Sequence, residues 1–215
     1  MNNSLYEIKK LQSQVRGGFK LNINKFEIHR GAIYLFSGRI ESGKSLMMNI
    51  LSQKSKYSGE IRYESESLDS YKGYQKEVAF VSAPPSGFKT GEQFIQSYIN
   101  KYDAIKKKNK DYKNIVRITG ANAFLNKRLY SLSANRRRMV SLIAGVLADP
   151  KVLIIDDLDS YLTTEELKVF KKIISRKASY DGVTVIASCR YTYNFPKFAS
   201  VNITLDSGRI VKVRS

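Results

Sequence analysis

The pattern of apolar and polar residues along the chain predicts a series of short strands. Apolar and polar positions alternate from Phe19 to His29, as they do in a half-buried strand. Residues 5–30 as a whole therefore predict two strands, with a turn at Gly17-Gly18 before the second. The other strands are predicted at residues 59–63, 78–81, 152–157 and 183–187, with a final hairpin at 201–213.

Helical periodicity separates these strands. Thr90 is a candidate N-cap for a helix whose apolar residues recur at helical spacing up to Tyr102. A basic run from Lys106 to Lys113 is expected to be a solvated face or loop, with contact to anionic lipid or a partner as the alternative. The first helix is predicted to end at about residue 54. Further helices are predicted at 90–102, 133–147 and 164–172, with short helices between 115 and 130.

Residues 32–45 have the layout of a buried strand, a glycine-containing loop and a helix. Their spacing fits G-x-x-x-x-G-K-[ST], a loop whose backbone amides and following helix dipole face an anion. Lys44 is expected to reach the outer phosphates of a nucleotide, and Ser45 to hold Mg²⁺. The predicted binding residues here are Gly38, Arg39, Ile40, Glu41, Ser42, Gly43, Lys44, Ser45 and Leu46.

The bulk composition limits the class of protein. The 215 residues are 42% hydrophobic, which suits one folded domain over residues 1–215. A net charge of +18 favours an anionic partner such as nucleic acid, a membrane surface or an acidic protein, or reflects a Lys-rich composition. No apolar run reaches the roughly 18–20 residues of a membrane span, and the N-terminus lacks the layout of a signal peptide. We therefore expect a cytoplasmic protein.

Metal and histidine chemistry have few candidates in this sequence. Cys189 is the only cysteine and His29 the only histidine, so an internal disulfide and a two-cysteine metal site are excluded. His29 lies in a stretch that is expected to be solvated. Asp157 and Asp159 form a minor alternative as a metal-binding pair.

Two motifs resemble the ATP-binding subunits of ABC transporters. Asp149-Pro150 followed by residues 152–157 is similar to the family's D-P-x-x-L-h-h-D-E, where h is apolar, and Leu132-Ser-Ala-Asn-Arg136 stands where the family has L-S-G-G-Q. The resemblance covers nearly the whole chain. It implies a P-loop NTPase of the ABC ATPase type, an α/β fold with a mixed sheet core, an N-terminal antiparallel β portion and an inserted helical lobe. The core would be residues 1–88 and 136–215, and the lobe about 89–135.

The same resemblance implies that the catalytic groups are altered. Asp156 matches the aspartate that steadies Mg²⁺, so Ser45 and Asp156 are the predicted metal residues. Asp157 stands in place of the glutamate that orients the attacking water, Cys189 in place of a phosphate-sensing histidine, and Ala83 in place of a glutamine. Asp157 keeps a carboxylate but draws it back by about an ångström, and catalytic placement is sensitive at that scale. ATP binding with weak or absent hydrolysis is therefore expected, and whether the chain is an enzyme stays open.

ABC subunits form head-to-tail dimers, and the resemblance extends to that contact. Ser133 would donate to the nucleotide of the partner chain, whereas Ala134 and Asn135 replace glycines and add side chains there. Glu41 replaces a glycine of the phosphate loop and should weaken binding unless it points away. Residues 136–138, three arginines, are expected on a solvated or acid-paired surface, with a phosphate contact by Arg136 as the alternative.

The leading functional hypothesis is an ATP-binding subunit of an ABC-type membrane transport complex. It would pair with a second ABC subunit, as a homodimer or heterodimer, and with a membrane permease, at the inner face of the cell membrane. One alternative is a scaffold or regulatory protein of an envelope assembly that does not hydrolyse ATP. A nucleic-acid-associated ATPase is the third hypothesis, motivated by the charge of +18, but no nucleic-acid module is recognisable.

Overall fold

Two β-sheets frame the part of the chain that the structure describes. The structure is a computed structural model, and it describes residues 4–14, 18, 20–102 and 108–215. The first sheet is antiparallel, with strands in the order β2-β1-β4-β5. These strands are β1 (Ser4–Gln14), β2 (Lys20–His29), β4 (Ser58–Tyr63) and β5 (Glu66–Ser67).

The second sheet has six strands in the order β10-β9-β3-β8-β7-β6. All pairs within it are parallel except β9 with β10, the predicted C-terminal hairpin. Parallel strands place their carboxyl ends at one edge, where ligands of open α/β sheets bind. The strands are β3 (Ile33–Ser37), β6 (Val78–Val81), β7 (Val152–Ile155), β8 (Thr184–Ser188), β9 (Val201–Asp206) and β10 (Arg209–Arg214).

Helices cover both faces of the second sheet. Side chains alternate across it, so that Leu35 packs with the core on the side of α3–α6, whereas Phe36 packs with α1 and the antiparallel sheet. The helices are α1 (Lys44–Leu51), α2 (Tyr74–Glu77), α3 (Gly91–Ile99), α4 (Lys108–Ile118), α5 (Ala134–Leu147) and α6 (Thr164–Asp181), with 3-10 turns at Ala121–Ala123, Leu129–Ser131 and Thr192–Asn194. No helix in these described ranges is long and apolar enough to cross a membrane.

The helix caps explain several of these boundaries. Thr90 caps α3 in a capping box with Gln93, as the sequence predicts for this threonine. Thr163 forms the same kind of cap with Glu166 at the start of α6. Gly182, in the left-handed region at a φ of 71°, ends that helix.

Some predicted boundaries are wrong. The sixth helix continues nine residues beyond the predicted end at Lys172, because Ile173, Ile174 and Ala178 bury its inner face against the core. The first helix ends at Leu51 rather than at about residue 54, since Gln53 has a positive φ of 56°. The basic run is predicted to be a solvated face or a loop, and its residues 108–113 belong to α4, so only the loop is excluded for them.

A few predictions fall on residues outside the described ranges. These are Gly17 of the predicted turn, Phe19 at the start of the second strand, and Lys106 and Lys107 of the basic run. The division into a core and a lobe of about 89–135 stays a prediction. Hydrogen bonds do join the two ends of that segment, from the amide of Gly91 to the carbonyl of Lys127 and from the amide of Leu129 to the carbonyl of Lys89.

Candidate nucleotide-binding site

The predicted phosphate loop connects β3 to α1 at the carboxyl edge of the parallel sheet. Gly38 begins the loop at a φ of 151°, and a Cβ added there would lie 2.2 Å from the carbonyl oxygen of Leu205. Only glycine fits such a close approach. Gly43 precedes α1 at a φ of 105° and offers no side chain to the helix amides. The first amides of α1 therefore have no capping side chain and stay open to an anion.

Lys44 places its charge at the centre of this loop. Its Nζ atom donates to the carbonyl oxygens of Gly38 and Arg39, at 2.8 and 2.9 Å, and to the Oγ of Ser42 at 3.3 Å. The side chain is only 9% exposed. These three contacts use all three donors of the ammonium, so a phosphate chain bound in the loop would have to replace some of them.

Ser45 and Asp156 meet although 111 positions separate them in the sequence. The Oγ of Ser45 donates to Oδ1 of Asp156 at 3.2 Å. The Oγ of Ser188, at the end of β8, donates to the same oxygen at 2.7 Å and accepts the amide of Asp157 at 2.8 Å. The carboxylate is therefore held by one hydroxyl from the first turn of α1 and one from the neighbouring strand β8.

The donor set fits Mg²⁺. A hydroxyl and a carboxylate oxygen are hard ligands, and Mg²⁺ in nucleotide sites takes one or two such groups and completes its shell with water and phosphate oxygens. In the described residues no cluster of three or more His, Cys, Asp or Glu side chains is arranged to hold a metal on its own. A pair of carboxylates is smaller than such a cluster, so the alternative of Asp157 and Asp159 as a metal-binding pair stays a prediction.

Asp159 also organises the segment after β8. Its carboxylate accepts the amides of Arg190 and Tyr191, at 3.1 and 3.3 Å, and the side-chain amide of Asn194 at 3.3 Å. The rings of Tyr191 and Tyr193 are stacked on that segment, with centroids 5.3 Å apart. These contacts fix one wall of the cavity that adjoins Asp157.

Asp157, the predicted weak catalytic residue, borders a cavity of about 670 Å³ that Ala83 also lines. Its backbone has a φ of 48°, in the left-handed region that aspartate tolerates better than most residues. Partial burial raises the pKa of this carboxyl, and the neighbouring charge of Asp156 raises it further. The carboxylate and Ala83 thus face the same space, where Ala83 offers no polar group.

Cys189 does not offer a hydrogen-bond donor to a phosphate in this cavity. Its side chain is 0% exposed, and burial raises the pKa of its thiol to about 12. The thiol is therefore neutral at physiological pH, and it is a weak hydrogen-bond donor. Cys189 thus occupies the position of a small residue within the buried core.

Glu41 is exposed, and residues 133–136 of the motif that begins at Leu132, here called the signature, are exposed or partly exposed. Glu41 is exposed and has a φ of 63°, so the loop adopts a glycine-like conformation at a residue with a side chain. Ser133 caps α5, where its Oγ accepts the amide of Arg136 at 3.3 Å. The side-chain amide of Asn135 donates to the carbonyl of Tyr161 at 2.7 Å and to Glu166 at 2.6 Å. Asn135 thereby fastens the signature to the loop that follows Asp157.

The prediction for the three arginines is wrong for one of them. Arg136 is exposed and lies over the ring of Phe124, at 5.6 Å from its centroid. Arg138, however, is only 1% exposed, and its guanidinium donates to the backbone carbonyls of Ser82, Asp156 and Asp157. Arg138 is the residue of this site that sequence reasoning missed.

A sequence signal for Arg138 existed in the small residues of the same helix. Positions 138, 141 and 145 share one face of α5, where the sequence has arginine, serine and glycine. A Cβ added at Gly145 would lie 2.4 Å from Cγ2 of Val81, so this face approaches β6 closely. The arginine at the beginning of that face must therefore point to the carboxyl end of β6.

A glycine loop with a central lysine, at the end of a parallel strand and beside a hydroxyl–carboxylate pair, defines a P-loop nucleotide-binding protein. Within that class, the ABC transporter family model matches residues 21–160. The chain belongs to the ABC transporter family, as the two motifs had indicated. The ATP-binding domains of this family bind ATP.

Comparisons with individual proteins agree. An ABC transporter ATP-binding protein of Clostridium tetani is 24% identical over 187 residues, which cover 84% of this chain. The chain spans only 42% of the length of that relative.

Solved structures show the same fold. The cbiO1 protein of Clostridium perfringens, described as part of the ABC transporter complex cbiONQ, has a TM-score of 0.79 at 18% identity and covers 99% of this chain and 88% of its own. The dimeric ATP-binding cassette MJ0796, bound to ADP and Pi, has a TM-score of 0.82 at 17% identity, with 98% of each chain covered. The predicted fold class is confirmed.

Proposed function

We propose that this chain is a subunit of an ABC-type membrane transport complex that binds ATP with Mg²⁺ and hydrolyses it weakly or not at all. The observation that carries the proposal is the convergence of Lys44, Ser45 and Asp156 at one end of the parallel sheet. Lys44 and the loop amides would bind the phosphates, and Ser45 and Asp156 would hold the metal. When bound, Mg²⁺ supplies charge neutralisation between the outer phosphates.

Weak hydrolysis follows from what stands around that site. Phosphoryl transfer depends almost wholly on positioned donors and charges, and the loss of one well-placed donor typically costs about 10²–10³ in rate. Ala83 has no polar group, the thiol of Cys189 is buried, and Asp157 carries the remaining carboxylate on a short side chain. Binding groups are thus retained where hydrolytic groups are reduced.

The partners are proposed from the family and from the structural relatives. MJ0796 is a dimer, and cbiO1 is part of a larger transporter complex. By analogy, this chain would pair with a second, more competent ABC subunit and with a membrane permease, at the inner face of the membrane. Ser133, exposed at the start of α5, would face the nucleotide bound by the partner chain.

A thermal unfolding experiment tests nucleotide binding. Mg-ATP should stabilise the protein, because a ligand at about 100 times its Kd adds about 2.7 kcal/mol. Lys44→Ala should abolish the shift, and Ser45→Ala should reduce the extra stabilisation that Mg²⁺ gives over ATP with chelator. Lys25→Ala, at an exposed position of β2, is the matched control and should keep the full shift. An equal shift in Lys44→Ala and Lys25→Ala would contradict the proposal.

The second candidate function is a non-hydrolysing scaffold, which the burial of Cys189 favours. Phosphate release measured alone and with co-purified membrane partners separates the two. Turnover that appears only in the assembled complex, and that survives Asp157→Asn, indicates that a partner's site performs the hydrolysis. Nucleotide-dependent assembly without turnover in any mixture indicates a scaffold. Rapid release by the isolated chain would overturn both.

A further inference from the structure

A groove lies between α4 and α6, away from the phosphate loop. Its volume is about 990 Å³, and its third side is formed by residues 196–198. Ile115, Ile173 and Phe198 line it and belong to the buried core. None of the phosphate-loop residues lines this groove, here called the α4–α6 groove.

Cations line one side of the α4–α6 groove at regular spacing. Lys168, Lys172 and Arg176 follow each other at every fourth position of α6, and all three are exposed. Like charges at this spacing repel and destabilise a helix. Lys197 adds a fourth exposed cation from the third side.

The acids of the groove do not neutralise these cations. Asp111 and Asp181 also line it, and each forms its ion pair with Lys177, at 3.7 and 3.0 Å. Asp149 pairs with the same lysine at 2.9 Å. Among the described residues, no ion pair involves the four exposed cations of the α4–α6 groove.

Apolar side chains at the edge of the groove are open to solvent. Ile118, at the end of α4, is 41% exposed, and Tyr180, near the end of α6, is 83% exposed. Together with the apolar floor they give the groove a hydrophobic side beside its cationic side. Amphipathic helices dock into grooves of this composition with their apolar face inward.

We propose that the α4–α6 groove docks an acidic amphipathic helix of a partner protein. Its carboxylates would meet Lys168, Lys172 and Arg176, and its apolar face would cover Ile118, Tyr180 and the floor. The shape favours a peptide over an anionic membrane, because a planar lipid surface cannot fill a concavity with an apolar floor. The charge complementarity would also steer the encounter of the two proteins.

The proposal is tested with the full chain and a designed probe. The probe is a fluorescent peptide of roughly 18 residues, about five helical turns, with Leu on one face and Glu on the other. A second peptide has the same composition in scrambled order, and vesicles rich in phosphatidylserine represent a membrane. Binding is measured by anisotropy for the peptides and by co-sedimentation for the vesicles.

Two charge-reversal triples distinguish the groove from general basicity. Lys168→Glu/Lys172→Glu/Arg176→Glu should weaken binding of the amphipathic peptide by roughly tenfold or more, as three attractions become repulsions. The matched control is Lys72→Glu/Lys127→Glu/Lys212→Glu, which changes the net charge equally at exposed positions outside the groove and should change affinity by less than about twofold.

A further variant tests the apolar side and also keeps the test independent of charge. Ile118→Ser/Tyr180→Ser should weaken the amphipathic peptide several-fold, and hydrogen exchange should slow in α6 when the peptide binds. Equal binding of the scrambled peptide, or equal losses in both charge triples, would overturn the proposal. So would binding of vesicles alone that the groove triple abolishes, since this would make the surface a membrane contact.

Discussion

The Nη2 atom of Arg138 lies 2.7 Å from the backbone carbonyl oxygen of Asp156, the residue that also receives the hydroxyl of Ser45. The same nitrogen donates to the carbonyl of Asp157 at 2.8 Å, and Nη1 donates to the carbonyl of Ser82. One buried guanidinium thus joins the chain after β6 to the chain after β7. It fixes the backbone that carries both aspartates, and its effect on the site would run through their positions.

Replacement of Arg138 should therefore cost stability. Arg138→Met leaves three carbonyls without this donor, and we expect a loss of about 2–4 kcal/mol in the free energy of unfolding. Arg138→Gln retains one amide donor group and should lose less. Arg136→Met, at the exposed arginine two positions earlier, is the control and should stay within about 0.5 kcal/mol of the wild type. Urea unfolding measures all three, and similar losses at positions 136 and 138 would refute the role given to Arg138.

The order of elements and the convergence of Lys44, Ser45 and Asp156 could be predicted from the sequence. Buried strands read as continuous apolar runs, and parallel strands bring their carboxyl ends to one edge. A hydroxyl after β3 and a carboxylate after β7 are therefore brought together by topology alone. The spacing of the phosphate-loop glycines also predicts where the loop begins. Only glycine permits the close contact of Gly38 with the carbonyl of Leu205.

Other features depend on packing that the sequence displays only indirectly. Three consecutive arginines have the same side-chain chemistry. Because a helix turns by about 100° per residue, Arg136 and Arg138 nevertheless face different surroundings. The packing around each position therefore decides that Arg136 is exposed and Arg138 is buried. The length of α6 beyond Lys172 depends on which core the inner face of that helix contacts.

The exposed carboxylate of Glu41 gives a prediction about affinity. It stands in the phosphate loop at a φ of 63°, where the resemblance expects glycine. Glu41→Gly removes a negative charge near bound phosphates and relieves the left-handed backbone, so ATP should bind roughly threefold tighter or more at low salt. Glu41→Gln keeps the length of the side chain and removes only the charge.

Titration calorimetry at low and high salt separates the two contributions. If charge dominates, Glu41→Gln should match Glu41→Gly at low salt, and both should approach the wild type as salt screens the carboxylate. If the backbone dominates, only the glycine variant should gain affinity, at every salt concentration. Unchanged affinity in both variants would show that Glu41 points away from the nucleotide.

The raised pKa of Asp157 predicts a pH-dependent stability difference. Burial and the charge of Asp156 raise that pKa in the folded state, so the folded protein binds this proton more tightly than the unfolded chain. The stability of the wild type relative to Asp157→Asn should therefore fall as pH rises through the ordinary aspartate range, and it should be lowest above the folded pKa. Asparagine suits this position because it also tolerates a left-handed backbone.

Urea unfolding of both proteins, from the lowest pH at which they stay folded to about pH 7, measures this difference. Subtraction of the two curves removes the titration of the groups that do not interact with Asp157. The variant should gain relative to the wild type as pH rises. A difference that is constant with pH would show that folding leaves the pKa of Asp157 unchanged. A difference that changes in the opposite direction would show that the folded protein stabilises the charged carboxylate.

Restoring catalytic groups should restore hydrolysis only in combination. Asp157→Glu lengthens the carboxylate but places glutamate in a left-handed backbone, at a cost of about 1–2 kcal/mol. Its effect on phosphate release should stay below about tenfold, because Ala83 still offers no donor. Asp157→Glu/Ala83→Gln should exceed the single variant by about 10² or more, since each placed donor is worth that much. Cys189→His should mainly destabilise the protein, because an imidazole is larger than the thiol that fills this fully buried position.

Adding Lys44→Ala to the double variant is the control, and it should remove the gained activity. Full activity from Asp157→Glu alone would show instead that carboxylate length is the single defect of this site.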